Sequence, residues 1–156
     1  LAMRDAELQT LAAEGIEGIV LRYGAFYGKD SLKPVVGLLK KRLLPIPKNH
    51  PGTWSFIYIE DAAHATVLAL ERGTPGQIYN VVDDAPASYS EFIEELAKIT
   101  HTPEPVKVPH WVFAPMQFMH AGIMADIPLS NAKAKRDLGW QPTAPSFREG
   151  LKAVFP

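Results

Sequence analysis

Three short apolar runs alternate with segments of helical period, and this alternation constrains the fold more than any other feature of the chain. The runs are "GIVLR" (residues 18–22), "TWSFIYI" (53–59) and "GQIYNVV" (76–82), all rich in β-branched or aromatic residues. Residues 1–14 read as a helix of good helix formers, with Leu1, Leu8, Leu11 and Ala12 on one face and Gly15 as its stop. Residues 32–43 predict a second helix, with Pro34 tolerated in its first turn and Gly37 weakening it. Pro45, Pro47, Pro51 and Gly52 then mark a loop. "EDAAHATVLALERG" (60–73) predicts a third helix, whose Ala62, Ala65 and Ala69 form a stripe for close packing on a sheet. Asp61 is expected there as a cap or as a first-turn anion favoured by the helix dipole. Residues 88–99 are the clearest helix: Ser88 and Glu91 form a capping box, and Tyr89, Phe92, Ile93 and Leu96 share a face. A second box, Ser146 with Glu149, opens residues 146–155, where Phe147, Leu151, Val154 and Phe155 line one side. "SNAKAKRDLGW" (130–140) is a short helix closed by Gly139. The order is an α/β pattern. Three strands are few for an open doubly wound sheet, so the chain reads as part of one.

Composition excludes several classes of function. Across 156 residues the net charge is −1, so neither nucleic acid nor an anionic membrane is favoured as partner. Hydrophobic content of 47% and charged content of 21% are those of an ordinary globular chain. No apolar stretch approaches the roughly 18 residues of a membrane span. Cysteine is absent, which excludes disulfides and thiolate chemistry and leads us to expect a reducing, cytoplasmic setting.

Few residues point to catalysis. His50, His64, His101, His110 and His120 show no metal-ligand spacing, so no metal is expected. Glu60–Asp61 and Asp83–Asp84 are neighbours in sequence, a spacing that does not aim both carboxylates at one bond, and loop or cap roles are expected of them. "GIEGIVL" resembles part of a dinucleotide fingerprint but precedes a strand, which leaves a pyrophosphate no helix N-terminus. No Ser–His–Asp arrangement is visible. "WVFAPMQFMHAGIM" (111–124) is apolar, and core or a lid over it is expected. What remains is the loop expected after Arg22. Ligands in open α/β sheets lie beyond the carboxyl ends of strands, and Tyr23, Gly24, Ala25, Phe26 and Tyr27 follow such an end. Glycine there admits close backbone approach, and the aromatics offer flat walls to a planar ring.

Four segments in order resemble the C-terminal half of the extended short-chain dehydrogenase/reductase family, the NAD-dependent epimerases and dehydratases. They are "GIVLRYGAFYG", "WSFIYIEDAAHATVLALE", "GQIYNVVDDAPASYSEFIEELAK" and "SNAKAKRDLGWQPTAPSFREGL", and together they cover nearly all of residues 1–156. The resemblance implies the C-terminal part of a Rossmann-type doubly wound fold with a small mixed α/β substrate-binding region. Residues 1–156 are then a single partial domain, and the N-terminal dinucleotide-binding half is expected to be absent. The family's glycine-rich strand–turn–helix is not found, nor is its Tyr-x-x-x-Lys pair: Tyr23, Tyr27, Tyr58, Tyr79 and Tyr89 are followed four residues on by Tyr, Ser, Ala, Asp and Ile.

By resemblance, Tyr23, Ala25 and Phe26 are expected along the nicotinamide end of NAD or NADP, and Tyr27 and Trp54 against a small-molecule substrate. Two positions depart from the sugar-epimerase pattern. Ala25 stands where an Asn touches substrate, and Trp54–Ser55 stand where an Arg-Asp pair meets a diphosphate. Lys40, Lys41, Arg42 and Lys48 are read as a solvated basic face. The expected function is the substrate-binding half of an NAD(P)-dependent epimerase, dehydratase or reductase, acting on a nucleotide sugar or related hydroxyl or carbonyl compound and inactive by itself. Two alternatives stand beside it: a non-catalytic cofactor-sensing or interaction protein, and a self-standing α/β domain that forms a homo-oligomer to cover its open surface.

Overall fold

The computed structural model describes residues 2–49 and 51–156. Leu1, expected on the first helix face, and His50 lie outside the described residues. The strands are β1 (Val20–Tyr23), β2 (Ala25–Tyr27), β3 (Ile46–Pro47), β4 (Phe56–Tyr58), β5 (Ile78–Val81) and β6 (Lys107–Val108). The α-helices are α1 (Ala2–Ala12), α2 (Lys29–Lys40), α3 (Ile59–Arg72), α4 (Tyr89–Ile99), α5 (Gln117–Met124), α6 (Ala132–Leu138) and α7 (Phe147–Val154). None is long and apolar enough to cross a membrane.

The strands form three parallel pairs among the described residues, β1 with β5, β2 with β4 and β3 with β6. The loop expected after Arg22 is instead more strand. The chain changes partner at Gly24, whose N–H still reaches the Val81 carbonyl (3.2 Å), while the next N–H, of Ala25, bonds to Ser55 (2.8 Å). Asp83 N–H to the Phe56 carbonyl (2.7 Å) ties the two pairs together. Aromatic residues favour the extended form, and glycine admits the close approach: a Cβ on Gly24 would lie 2.5 Å from the Ser55 carbonyl oxygen.

Strand alternation divides the core. Phe56 points into one cluster, where it stacks on Phe92 at 4.7 Å and meets Tyr27, Phe147, Leu96 and Leu151 beneath α4 and α7. Its neighbour Ile57 points into the other, with Tyr79, Val81, Leu138, Trp140 and the alanine stripe Ala62, Ala65 and Ala69. The stripe lets α3 and α6 pack together on the sheet, as its small side chains predict. α6 closes at Gly139, whose φ of 65° is the left-handed conformation that glycine adopts freely.

Several expectations are corrected. α1 forms, but Met3 and Leu8 on it are 81% and 55% exposed, and a forked Glu7–Arg22 ion pair (2.6 and 2.7 Å) holds it to β1. α2 starts earlier than expected, so Pro34 stands in its second turn, where it can donate no bond back to Asp30. The capping box at Ser88 is present with both its bonds. At Ser146 the hydroxyl donates to the Glu149 carboxylate and accepts no backbone N–H, unlike Ser88, whose hydroxyl does both. Residues 111–124 are not core. Phe113 and Ile123 are buried, but Trp111, Met116, Phe118 and Met119 are exposed. Of this segment, Gly122 alone reaches the cleft described next. Lys40, Lys41, Arg42 and Lys48 are all exposed.

Candidate functional site

A cleft of about 230 Å³ opens at the carboxyl end of β1. One wall is Tyr23, Gly24 and Ala25, where the chain passes from β1 to β2. The floor is Trp54 and Ser55, leading into β4, and the roof is Gly122 with Ala125, Ile127 and Leu129. Floor and roof are laced together. Thr53 N–H donates to Ala125 (3.0 Å) and Ile127 N–H to Thr53 (2.8 Å). The Trp54 indole N–H donates to the Gly122 carbonyl (2.8 Å). The Ser55 hydroxyl donates to Ile127 (3.3 Å) and accepts from Leu129 N–H (2.8 Å). Trp54 is also fixed by Tyr89, at 5.5 Å between ring centres. The side chain expected to stack on a ligand is thus pre-positioned by the fold.

Of the expected site residues, Tyr23, Ala25 and Trp54 come together in this cleft. Phe26 points to the other face of β2, half exposed, with its ring 5.1 Å from that of Tyr23. Tyr27 does not join them. It is 1% exposed, packed with Phe92 and Tyr58, and its hydroxyl has no hydrogen-bond partner. The reason is strand period: one residue past Phe26, the side chain turns back into the core. Burial, with the Asp83 carboxylate adding to it, pushes the Tyr27 phenol far above its ordinary range.

The cleft roof was not legible in sequence. Ser55 meets Ile127 and Leu129 across 72 and 74 positions, a separation that no local pattern reports. The adjacent carboxylates have separate duties, as expected of them. Asp61 is 1% exposed in the first turn of α3, and its oxygens accept from Thr143 N–H (2.9 Å), Thr143 Oγ1 (2.6 Å) and Ala144 N–H (3.0 Å). It caps no helix and instead anchors the turn after Trp140, whose indole N–H returns to the Asp61 carbonyl (3.2 Å). Asp83 is buried, and that burial pushes its carboxyl up to about 7. Asp84, though burial works the other way, is held below the usual carboxylate range by Lys135 at 2.6 Å and by Asn131. His110 and His120 stack with ring nitrogens 3.5 Å apart, but among the described residues no third His, Asp or Glu joins them in a metal-holding group.

For a nicotinamide, the fit is partial and specific. Tyr23 offers a flat face and Gly24 keeps the wall thin, while Phe26 stands outside the cleft on the other face of β2, its ring beside that of Tyr23. No glycine-rich strand–turn–helix is present in the sequence to hold the phosphates.

No family model matches the chain. Similar proteins are found by sequence and by fold. A 3-diazoavenalumate denitrifying reductase of Streptomyces sp is 34% identical over 154 residues, covering 94% of this chain and 50% of that protein. A UDP-glucose 4-epimerase of Corynebacterium glutamicum is 35% identical over 95 residues, 60% of this chain and 26% of the relative. The structure of dTDP-glucose 4,6-dehydratase from Bacillus anthracis in complex with NAD superposes with a TM-score of 0.70 at 20% identity, over 96% of this chain and 48% of that one. The chain spans about half the length or less of the curated relatives it matches. With four motifs in family order, these relatives and this Rossmann-like fold, the chain belongs to the NAD-dependent epimerase/dehydratase family of extended short-chain dehydrogenases/reductases and corresponds to the C-terminal portion of its fold.

Proposed function

We propose that residues 1–156 form the substrate-side part of an NAD(P)-dependent epimerase, dehydratase or reductase, and that the dinucleotide-binding half of the whole protein is its partner. The observation that carries this reading is the cleft at the carboxyl end of β1, with its wall at Tyr23–Gly24–Ala25 and its floor at Trp54. Tyr23 and Ala25 lie along the nicotinamide, Phe26 borders it only from the other face of β2 beside Tyr23, and Trp54 faces the substrate. Tyr27 has no part in it, being buried in the core. When bound, the nicotinamide supplies hydride transfer to or from the carbon–oxygen centre of a hydroxyl or carbonyl substrate. The accompanying proton passes to or from a group that this sequence does not contain, since none of its tyrosines stands in a Tyr-x-x-x-Lys pair. What this chain contributes is positioning and exclusion of water: Trp54 and the roof at Ile127 and Leu129 close the cleft on the side away from the cofactor.

The chain by itself is inactive in this reading, and the whole protein works in the cytoplasm. The UDP-glucose 4-epimerase relative supports a nucleotide sugar as one substrate of the class. The test is a titration of isotope-labelled protein with nicotinamide mononucleotide. Amide shifts are expected at Tyr23, Gly24, Ala25 and Phe26, and shifts confined elsewhere overturn the cofactor-wall reading. Turnover by this chain alone, with NAD(P)H and any carbonyl substrate, overturns the expectation that it is inactive.

A further inference from the structure

The cleft has a chemical character that separates possible substrates. Each polar side chain on its walls is already paired. Thr66 gives its hydroxyl proton to the Ala62 carbonyl (2.8 Å), so in the 2.6 Å contact between Tyr23 and Thr66 it is the Tyr23 phenol that donates. The Trp54 indole N–H is held by Gly122, and the Ser55 hydroxyl both donates and accepts within the roof. Most backbone donors of the walls are paired as well: Gly24 to Val81, Ala25 to Ser55, Trp54 to Ala87, Ala125 to Gly122 and Ile127 to Thr53. Among the described residues, no lysine, arginine, histidine or carboxylate lines the cleft.

A diphosphate needs cations or free N–H donors to replace its water, because burying an unpaired charge costs far more than the surrounding contacts return. Among the described residues these walls supply no cation, and most of their N–H donors are already used. They do supply flat aromatic faces from Tyr23 and Trp54 and aliphatic cover from Ile127 and Leu129. A volume of about 230 Å³ has room for an uncharged group of roughly ten non-hydrogen atoms. We infer that the cleft takes a planar, uncharged aromatic ring, so that the whole protein acts on an aromatic carbonyl or hydroxyl compound and not on a nucleotide sugar. This inference rests on the cleft being the substrate-side wall proposed above.

The test is a pair of titrations into isotope-labelled protein, one with cinnamyl alcohol and one with UDP-glucose at equal concentration. Cinnamyl alcohol is expected to give saturable shifts of the Trp54 indole N–H and the Gly24 and Ala25 amides, and UDP-glucose none. Ala125→Phe, which fills the cleft from its roof, should weaken the alcohol at least about tenfold while leaving amides beyond the cleft in place. Ala25→Leu fills it from the wall and serves if the first variant fails to fold. Tighter saturation of these same resonances by UDP-glucose overturns the aromatic assignment and leaves the substrate wall standing. Absence of shifts with either ligand overturns the inference, and the nicotinamide mononucleotide titration then reports separately whether the cofactor wall survives.

Discussion

Asp61 carries the kind of signal that invites a catalytic assignment, a buried carboxylate in the first turn of a helix, yet its oxygens are committed to Thr143 and Ala144. Asp61→Ala strands those two N–H groups, and the expected loss is about 2 to 4 kcal/mol in urea unfolding, with Asp61→Asn losing less. An Asp61→Ala protein as stable as the parent would show that the turn holds without its anchor. Asp83 works in the opposite sense. Its carboxyl is raised from 3.8 to about 7 in the folded chain, so between those values the folded state holds a proton that the unfolded chain has released. Stability from this residue is therefore complete below about pH 4 and falls as pH rises to about 7, on the order of 4 kcal/mol across the window. Asp83→Asn is expected to remove that slope and to unfold at higher denaturant than the parent above pH 7. Parallel pH profiles for the two proteins would refute the assignment.

Among elements, the two expected capping boxes make an internal comparison. At α4, Ser88 Oγ accepts the Glu91 N–H (3.1 Å) and Glu91 returns to the Ser88 N–H (2.8 Å), closing two otherwise unpaired donors. At α7, Ser146 donates to Glu149 and accepts no cap bond. Ser88→Ala should then cost about 1 kcal/mol and Ser146→Ala clearly less, read as the shift in chemical-denaturation midpoint. Equal losses would show that both serines cap alike. Elements with strong local signals lay close to where periodicity put them, α3, α4 and α7 above all. The short strands did not: β3 is Ile46–Pro47 and β6 is Lys107–Val108, two residues each, and each exists because the other is opposite it. A pairing of that length has no period to detect.

At the scale of the molecule, the buried clusters lie on one side of the β1–β5 pair and α1 lies on the other, with its apolar residues uncovered. A groove of about 1010 Å³ runs between α1 and β1, lined by Leu8, Leu11, Leu21, Ile78 and Ile127 among others. An apolar surface of this kind seeks cover in water. Sedimentation velocity is expected to show self-association that grows with concentration, and Leu8→Lys together with Met3→Lys is expected to reduce it. A monomer at all concentrations, with both variants unchanged, would mean that α1 tolerates its exposure.

The sequence by itself determined the α/β class, the helices with caps and apolar faces and the family, and it singled out Tyr23, Ala25 and Trp54, which the fold brings to one cleft. These follow from local chemistry, from period, capping and motif order within short windows. Tertiary structure alone decided that Tyr27 faces the core and Phe26 the solvent, that Asp61 and the turn after Trp140 are one device, and that residues 122–129 roof the cleft. The physical reason is that these facts are contacts between distant segments. A side chain's direction in a strand turns over with a single residue of register, and a hydrogen bond across more than seventy positions leaves no trace in the composition of either end.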